Sequence, residues 1–153
     1  MAYQAKRANT YTTDFELVED DGTVVYSLKV ALDAGSMAEK LSKEHMELVR
    51  IHGKVEKMNP KKTDLKTMTN AYQELGEAAL TIIRSVFGEE QTNIIFEFYH
   101  GKYVDIVREV MPFVQSVVLP EVRQIAQQNR KDILQKYNRK TRHSILKGKK
   151  WDI

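Results

Sequence analysis

The sequence predicts an α+β fold that is mainly α: an N-terminal β-hairpin followed by four or five helices, the last long and proline-kinked, with a basic C-terminal tail. Three observations carry this. Residues 24–32 alternate with a period of two, the signature of a half-buried strand. Between residues 37 and 125 the apolar residues recur at three- and four-residue spacings, the signature of amphipathic helices. The last two dozen residues gather cations.

The hairpin is predicted over residues 13–32. Val24, Tyr26, Leu28, Val30 and Leu32 fall on one face of its second strand. Phe15 and Leu17 supply a shorter facing strand. Asp20-Asp21-Gly22-Thr23 joins them, with Asp-Gly as the turn signal because glycine tolerates positive φ. A lone hairpin is marginal in water, so this one is expected to pack on helices.

Ser36 with Glu39 matches a capping box, which would open a helix running to about Met58. Its apolar stripe is Met37, Leu41, Leu48, Ile51 and Val55, and Asn59-Pro60 ends it, since the residue before proline avoids the α region. Thr63 or Asp64 can cap a second helix with the stripe Leu65, Met68, Tyr72, Leu75, Ala79, Ile82, Val86, widened by Ile83 and Phe87. Gly88 stands where a left-handed C-terminal cap belongs. A short third helix follows, acidic at its start through Glu89 and Glu90, buried through Ile94, Ile95 and Phe98, and closed by Gly101. Tyr103 to Ile125 is the most apolar stretch, interrupted by Pro112 and Pro120. Because an interior proline costs about 3 kcal/mol in a helix, a kink at one and a break or restart at the other are expected. A thin stripe (Val122, Ile125, Ile133, Leu134, Tyr137) continues the helix, and order is expected to fade beyond Asn138, apart from whatever Ile145, Leu146 and Trp151 anchor.

At 153 residues the chain is near the length of one domain. We read residues 1–129 as a single α-rich domain and residues 130–153 as a basic helical extension and flexible tail. The charges divide the same way. Residues 1–129 hold 15 Lys/Arg against 19 Asp/Glu, a net of −4. Residues 130–150 hold nine cations (Arg130, Lys131, Lys136, Arg139, Lys140, Arg142, Lys147, Lys149 and Lys150) against Asp132 alone, a net of +8. A counter-charged partner would therefore meet the tail and not the body.

The absence of cysteine removes disulfides, thiolate metal sites and cysteine nucleophiles, and fits a reducing compartment. Residues 1–13 hold no signal-peptide core, and no apolar run approaches the roughly 20 residues of a membrane helix, so a cytoplasmic location is expected. His45 and His52, seven apart, share a helix face but are too far apart to hold one metal ion, and we expect no metal or cofactor. There is no glycine-rich phosphate loop and no nucleophile elbow. The acidic pairs Asp20-Asp21 and Glu89-Glu90 fall at a turn and a helix start, where capping accounts for them. No dense titratable cluster points to catalysis, so no catalytic residue is expected. Most of Tyr103–Leu119 is expected to be core, yet the stretch is too apolar all round for a helix with one wet side, so part of it is expected at an interface. Tyr103, Val107, Val110, Met111, Phe113, Val114, Val117 and Val118 are therefore the candidate partner or oligomer surface. The nine cations of the tail are a candidate surface for a polyanion or an acidic protein. Nucleic acid is one such polyanion, with Tyr137 and Trp151 able to stack on bases. A solvated or acidic-protein-binding extension is the reading we favour.

Three stretches carry a resemblance: Tyr72-Gln-Glu-Leu-Gly-Glu-Ala-Ala-Leu-Thr-Ile-Ile-Arg-Ser-Val-Phe-Gly-Glu-Glu90; Ile94-Ile-Phe-Glu-Phe-Tyr-His-Gly-Lys-Tyr103; and Val110-Met-Pro-Phe-Val with Val117-Val-Leu-Pro120. Over about residues 10–138 the chain resembles the tail assembly chaperones of siphophages and prophages of Gram-positive bacteria. That resemblance implies a non-enzymatic protein of the host cytoplasm. It would assemble as a homo-oligomer on the tape measure protein, keep it soluble, and be stripped off as tail tube protein polymerises. It also raises a ribosomal frameshift near the 3′ end of the gene, for which Lys149-Lys150 is a candidate slippery run. Two other readings remain open: a small nucleic-acid-binding accessory protein using the basic tail, and a phage-encoded helical adaptor or inhibitor.

Overall fold

The computed structural model describes residues 2–5 and 10–146, with side chains as far as residue 136. It is mainly helical, with an N-terminal antiparallel hairpin of strands β1 (Thr10–Val18) and β2 (Val24–Asp33). Phe15 pairs with Leu28 and Leu17 with Tyr26, and the register slips between Leu17 and Val18. The turn closes through the Gly22 N–H donating to the Glu19 carbonyl at 2.8 Å, with Gly22 at φ +88°. The first strand thus starts three residues earlier than expected. Of the five apolar residues predicted on one buried face, only Leu28, Val30 and Leu32 are buried. Val24 and Tyr26 lie toward the turn and remain exposed.

Helix α1 (Ala34–Lys57) begins directly after β2. The Asp33 carboxylate, not the predicted Ser36–Glu39 box, caps it by accepting from the Gly35 N–H at 3.1 Å. Ser36 then lies inside the first turn and donates to the Asp33 carbonyl. Both residue types cap helices, and the strand ending at Asp33 makes it the first available cap. Helix α2 (Leu65–Phe98) is capped by Asp64, which accepts from the Thr67 N–H at 2.9 Å. Gly88 interrupts it with φ +81° and ψ 167°, a conformation open essentially to glycine alone. The chain turns there between the predicted second and third helices.

Helix α3 (Tyr103–Phe113), a π turn (Val114–Val118) and helix α4 (Leu119–Leu146) form one continuous rod. Among the described residues the helical chain falls into α1, α2 and this rod, with the Gly88 turn inside α2 at the boundary expected between the second and third helices; the four or five separate helices expected are not confirmed. The chain does not break at either proline, since Phe113, Val114 and Leu119 all hold helical angles; Pro120 instead stands second in α4, where the α pattern restarts after the π turn. The π turn explains the tolerance. The Leu119 N–H reaches back to the Val114 carbonyl, and the widened turn relieves the clash that the Pro120 ring would otherwise make with the Ser116 carbonyl four residues earlier. Nor does the helix fade beyond Asn138; its backbone continues to Leu146. Residues 147–153, with the anchoring role expected of Trp151, lie outside the described residues, as do the side chains of Tyr137, Ile145 and Leu146.

One core joins these elements. Leu17, Leu28 and Val30 meet Leu41 and Leu48 of α1, Ala79, Ile82, Ile83 and Ile95 of α2, and Ile106, Val110, Val114, Val118 and Val122 of the rod. Phe15, Phe87 and Phe113 converge from hairpin, α2 and α3, with ring centroids 4.7–5.9 Å apart. The rod runs antiparallel to α1, with Gln115 beside His45 and Arg123 beside Ser42.

Candidate functional site

The eight residues of the predicted partner surface divide into three groups. Val110, Met111, Val114 and Val118 are buried in the chain's own core and present no open surface. Phe113 is half-buried in the aromatic cluster. Tyr103 and Val107 are half-buried at the edge of a groove, and Val117 is exposed elsewhere on the rod. The stretch is apolar all round because α3 has a second apolar stripe beside the core one. Ile106, Val110 and Met111 face the interior, whereas Val104 and Val107, three residues apart, line the groove.

The groove lies between α2 and α3 and has a volume of about 770 Å³. Tyr72, Leu75, Gly76, Tyr103, Val104 and Val107 line it. Gly76 makes it possible: a Cβ built there would lie 2.5 Å from Tyr103 Cγ, so only glycine lets the tyrosine ring lie flat against α2. Leu75 and Val107 carry the groove into a second depression of about 310 Å³ beside Val49, Met111 and Pro112. Val49, Tyr72 and Val104 are large apolar residues 53%, 47% and 64% exposed, together along one face. Lys102, Arg108, Asp105 and the His52 ring border it. Arg108 is tied to Asp105 at 2.8 Å and Glu109 at 3.1 Å.

The sequence placed Tyr72 in a buried stripe with Leu65 and Met68. The structure corrects this. Leu65 is 82% exposed, and burial on α2 begins at Ala71. The excess of apolar residues around α3 was the available signal for the groove; Val49 had none, being one valine beside the α1 stripe.

The remaining candidates lie apart. His45 Nε2 is 3.3 Å from Gln115 Nε2, and burial together with Arg123 holds the imidazole below its ordinary pKa. His52 faces Glu56 at 4.0 Å. Among the described residues no three His, Asp or Glu side chains gather as metal ligands. No helix among them is long and apolar enough to cross a membrane. Of the tail cations, Arg130, Lys131 and Lys136 are exposed on α4. The side chains of Arg139, Lys140 and Arg142, and the whole of Lys147, Lys149 and Lys150, lie outside the described residues. Comparison of the chain with family models, curated proteins and solved structures gives no match.

Proposed function

We propose that this chain is a tail assembly chaperone of the kind made by siphophages and prophages of Gram-positive bacteria. It acts in the host cytoplasm, holding the tape measure protein until tail tube protein polymerises around it. The observation that carries the reading is the α2–α3 groove. Exposed apolar side chains are ordinary when scattered, but a contiguous groove of them marks an interaction surface. A groove walled by two helices and floored by glycine fits the apolar stripe of another helix, read by side chains three and four residues apart. A long helical client with such stripes would otherwise aggregate. The contact uses no catalytic group, which leaves it free to be displaced by a competing subunit.

Co-expression with the product of the downstream gene is expected to give a soluble complex of fixed stoichiometry with a long, helix-rich protein. Carboxylates placed at two exposed groove positions, Tyr72→Glu with Val104→Glu, should cut recovery of that complex at least about ten-fold, the equivalent of roughly 1.4 kcal/mol. Circular dichroism and melting should stay unchanged, because neither side chain is in the core. Equal recovery by the double variant and the unmodified chain rules out the groove, and failure of the unmodified chain to bind that client removes the reading.

A further inference from the structure

Among the described residues, α4 from Arg130 to Lys136 lies off the core of its own subunit. Val122 is buried against α1, and Ile125, Ala126 and Asn129 are half-buried. From Arg130 to Lys136 every side chain is exposed, including Ile133 at 68% and Leu134 at 51%. An unsupported helix of this length is marginal in water. Its sequence is that of a docking helix, with Ile133 and Leu134 exposed among Arg130, Lys131 and Lys136.

At the other end of the rod is a cleft of opposite character, about 750 Å³ in volume, between the hairpin turn and the start of α3. Tyr26, Phe98 and Tyr99 give it an aromatic lining, and six carboxylates border it, Glu16, Glu97 and Glu109 among them, against the single guanidinium of Arg108. Arg108 is already paired with Asp105 and Glu109. The field is felt locally: burial, then Glu109 and Asp105, push the Tyr99 hydroxyl above its ordinary pKa. The α2–α3 groove, bordered by Lys102 and Arg108, does not offer this complement to a basic helix.

We infer that the basic helical extension of one copy docks, through Ile133, Leu134 and its cations, in the acidic aromatic cleft of a second copy. The chain's own extension cannot do this. The rod starts at the cleft and carries residue 130 about 37 Å beyond Asp105 at 1.5 Å per residue. The contact joins two different surfaces, so it is heterologous and propagates from copy to copy unless the rotation closes a ring. Its charge component weakens with salt. The inference is independent of the client proposed above, and its test uses the purified chain alone.

Sedimentation velocity on the full chain, freed of nucleic acid by nuclease and high salt, should show association that grows with concentration and weakens at high salt. Two charge-reversed versions separate the surfaces: Arg130→Glu/Lys131→Glu/Lys136→Glu on the extension and Glu16→Lys/Glu97→Lys at the cleft. Each alone should weaken association at least about ten-fold, the scale expected for several charge pairs. Mixed in equal amounts, they should co-assemble, since each then offers the other a complementary extension and cleft. Recovery in the mixture also shows that both versions are folded. A unmodified chain that stays monomeric at low salt, association that vanishes once nucleic acid is removed, or a mixture no more associated than its components overturns the inference.

Discussion

His45 shows how one side chain can make the α1–rod contact sensitive to acid. Its ring lies where Gln115 approaches at 3.3 Å, with the Arg123 guanidinium nearby. Burial is the larger cause of its lowered pKa, and repulsion from Arg123 adds to it. The folded chain therefore holds this imidazole neutral at pH values where the unfolded chain already binds a proton. Stability from this residue is fully present above the unfolded value of about 6.5 and is lost as pH falls through the lower folded value. Denaturant unfolding measured from pH 7.5 to pH 5 should show a decline in stability that His45→Gln flattens. The capping carboxylate of Asp64, also lowered through its bonds to Thr67, belongs to a separate and more acidic window. A decline of the same slope in the glutamine variant would place the sensitivity on another group.

The hairpin depends on what lies beneath it. Two strands alone are marginal, and this pair is held by the Phe15–Phe87–Phe113 cluster and by Gln91. The Gln91 amide accepts from the Lys29 N–H at 2.9 Å and donates to the Lys29 carbonyl at 2.7 Å, as a neighbouring strand would. Phe113→Ala should cost about 3 kcal/mol by urea unfolding, at the low end for a phenylalanine because the ring is half-buried. The same variant should speed amide exchange in β1 ahead of α1, whereas uniform loss across the chain would show that the cluster does not specifically hold the hairpin. The hairpin was legible in the sequence because period-two alternation and an Asp-Gly turn act locally, and Gly88 because only glycine reaches its angles. The α1 start was not, since Asp33 and Ser36 can both cap and the end of the strand decides between them. The groove was half legible. Surplus valines around α3 showed that more than one face was apolar, but how far α2 projects past its neighbours at Leu65 and Tyr72 depends on tertiary packing. The π turn had only Pro112 and Pro120 to announce it, and they pointed to a kink and to a break or restart.

At the scale of the whole molecule, packing and charge divide the chain at nearly the same residue. Among the described residues the buried core ends at Val122, with half-buried contacts as far as Asn129, while the net charge changes from −4 to +8 at Arg130. If the extension adds nothing to the core, removing residues 130–153 takes away no buried apolar area and should change the unfolding free energy by no more than about 0.5 kcal/mol, the range for surface changes. The same truncation takes the formal charge from +3 to −4, so at pH 7 the chain should pass from cation-exchange to anion-exchange binding. The two readouts are independent, because one follows the core and the other follows the tail. A truncated chain that changes its charge as expected yet melts well below the full chain would show that α4 beyond Asn129 supports the body. The extension would then be part of the folded core, and residues 1–129 would not be a self-sufficient unit.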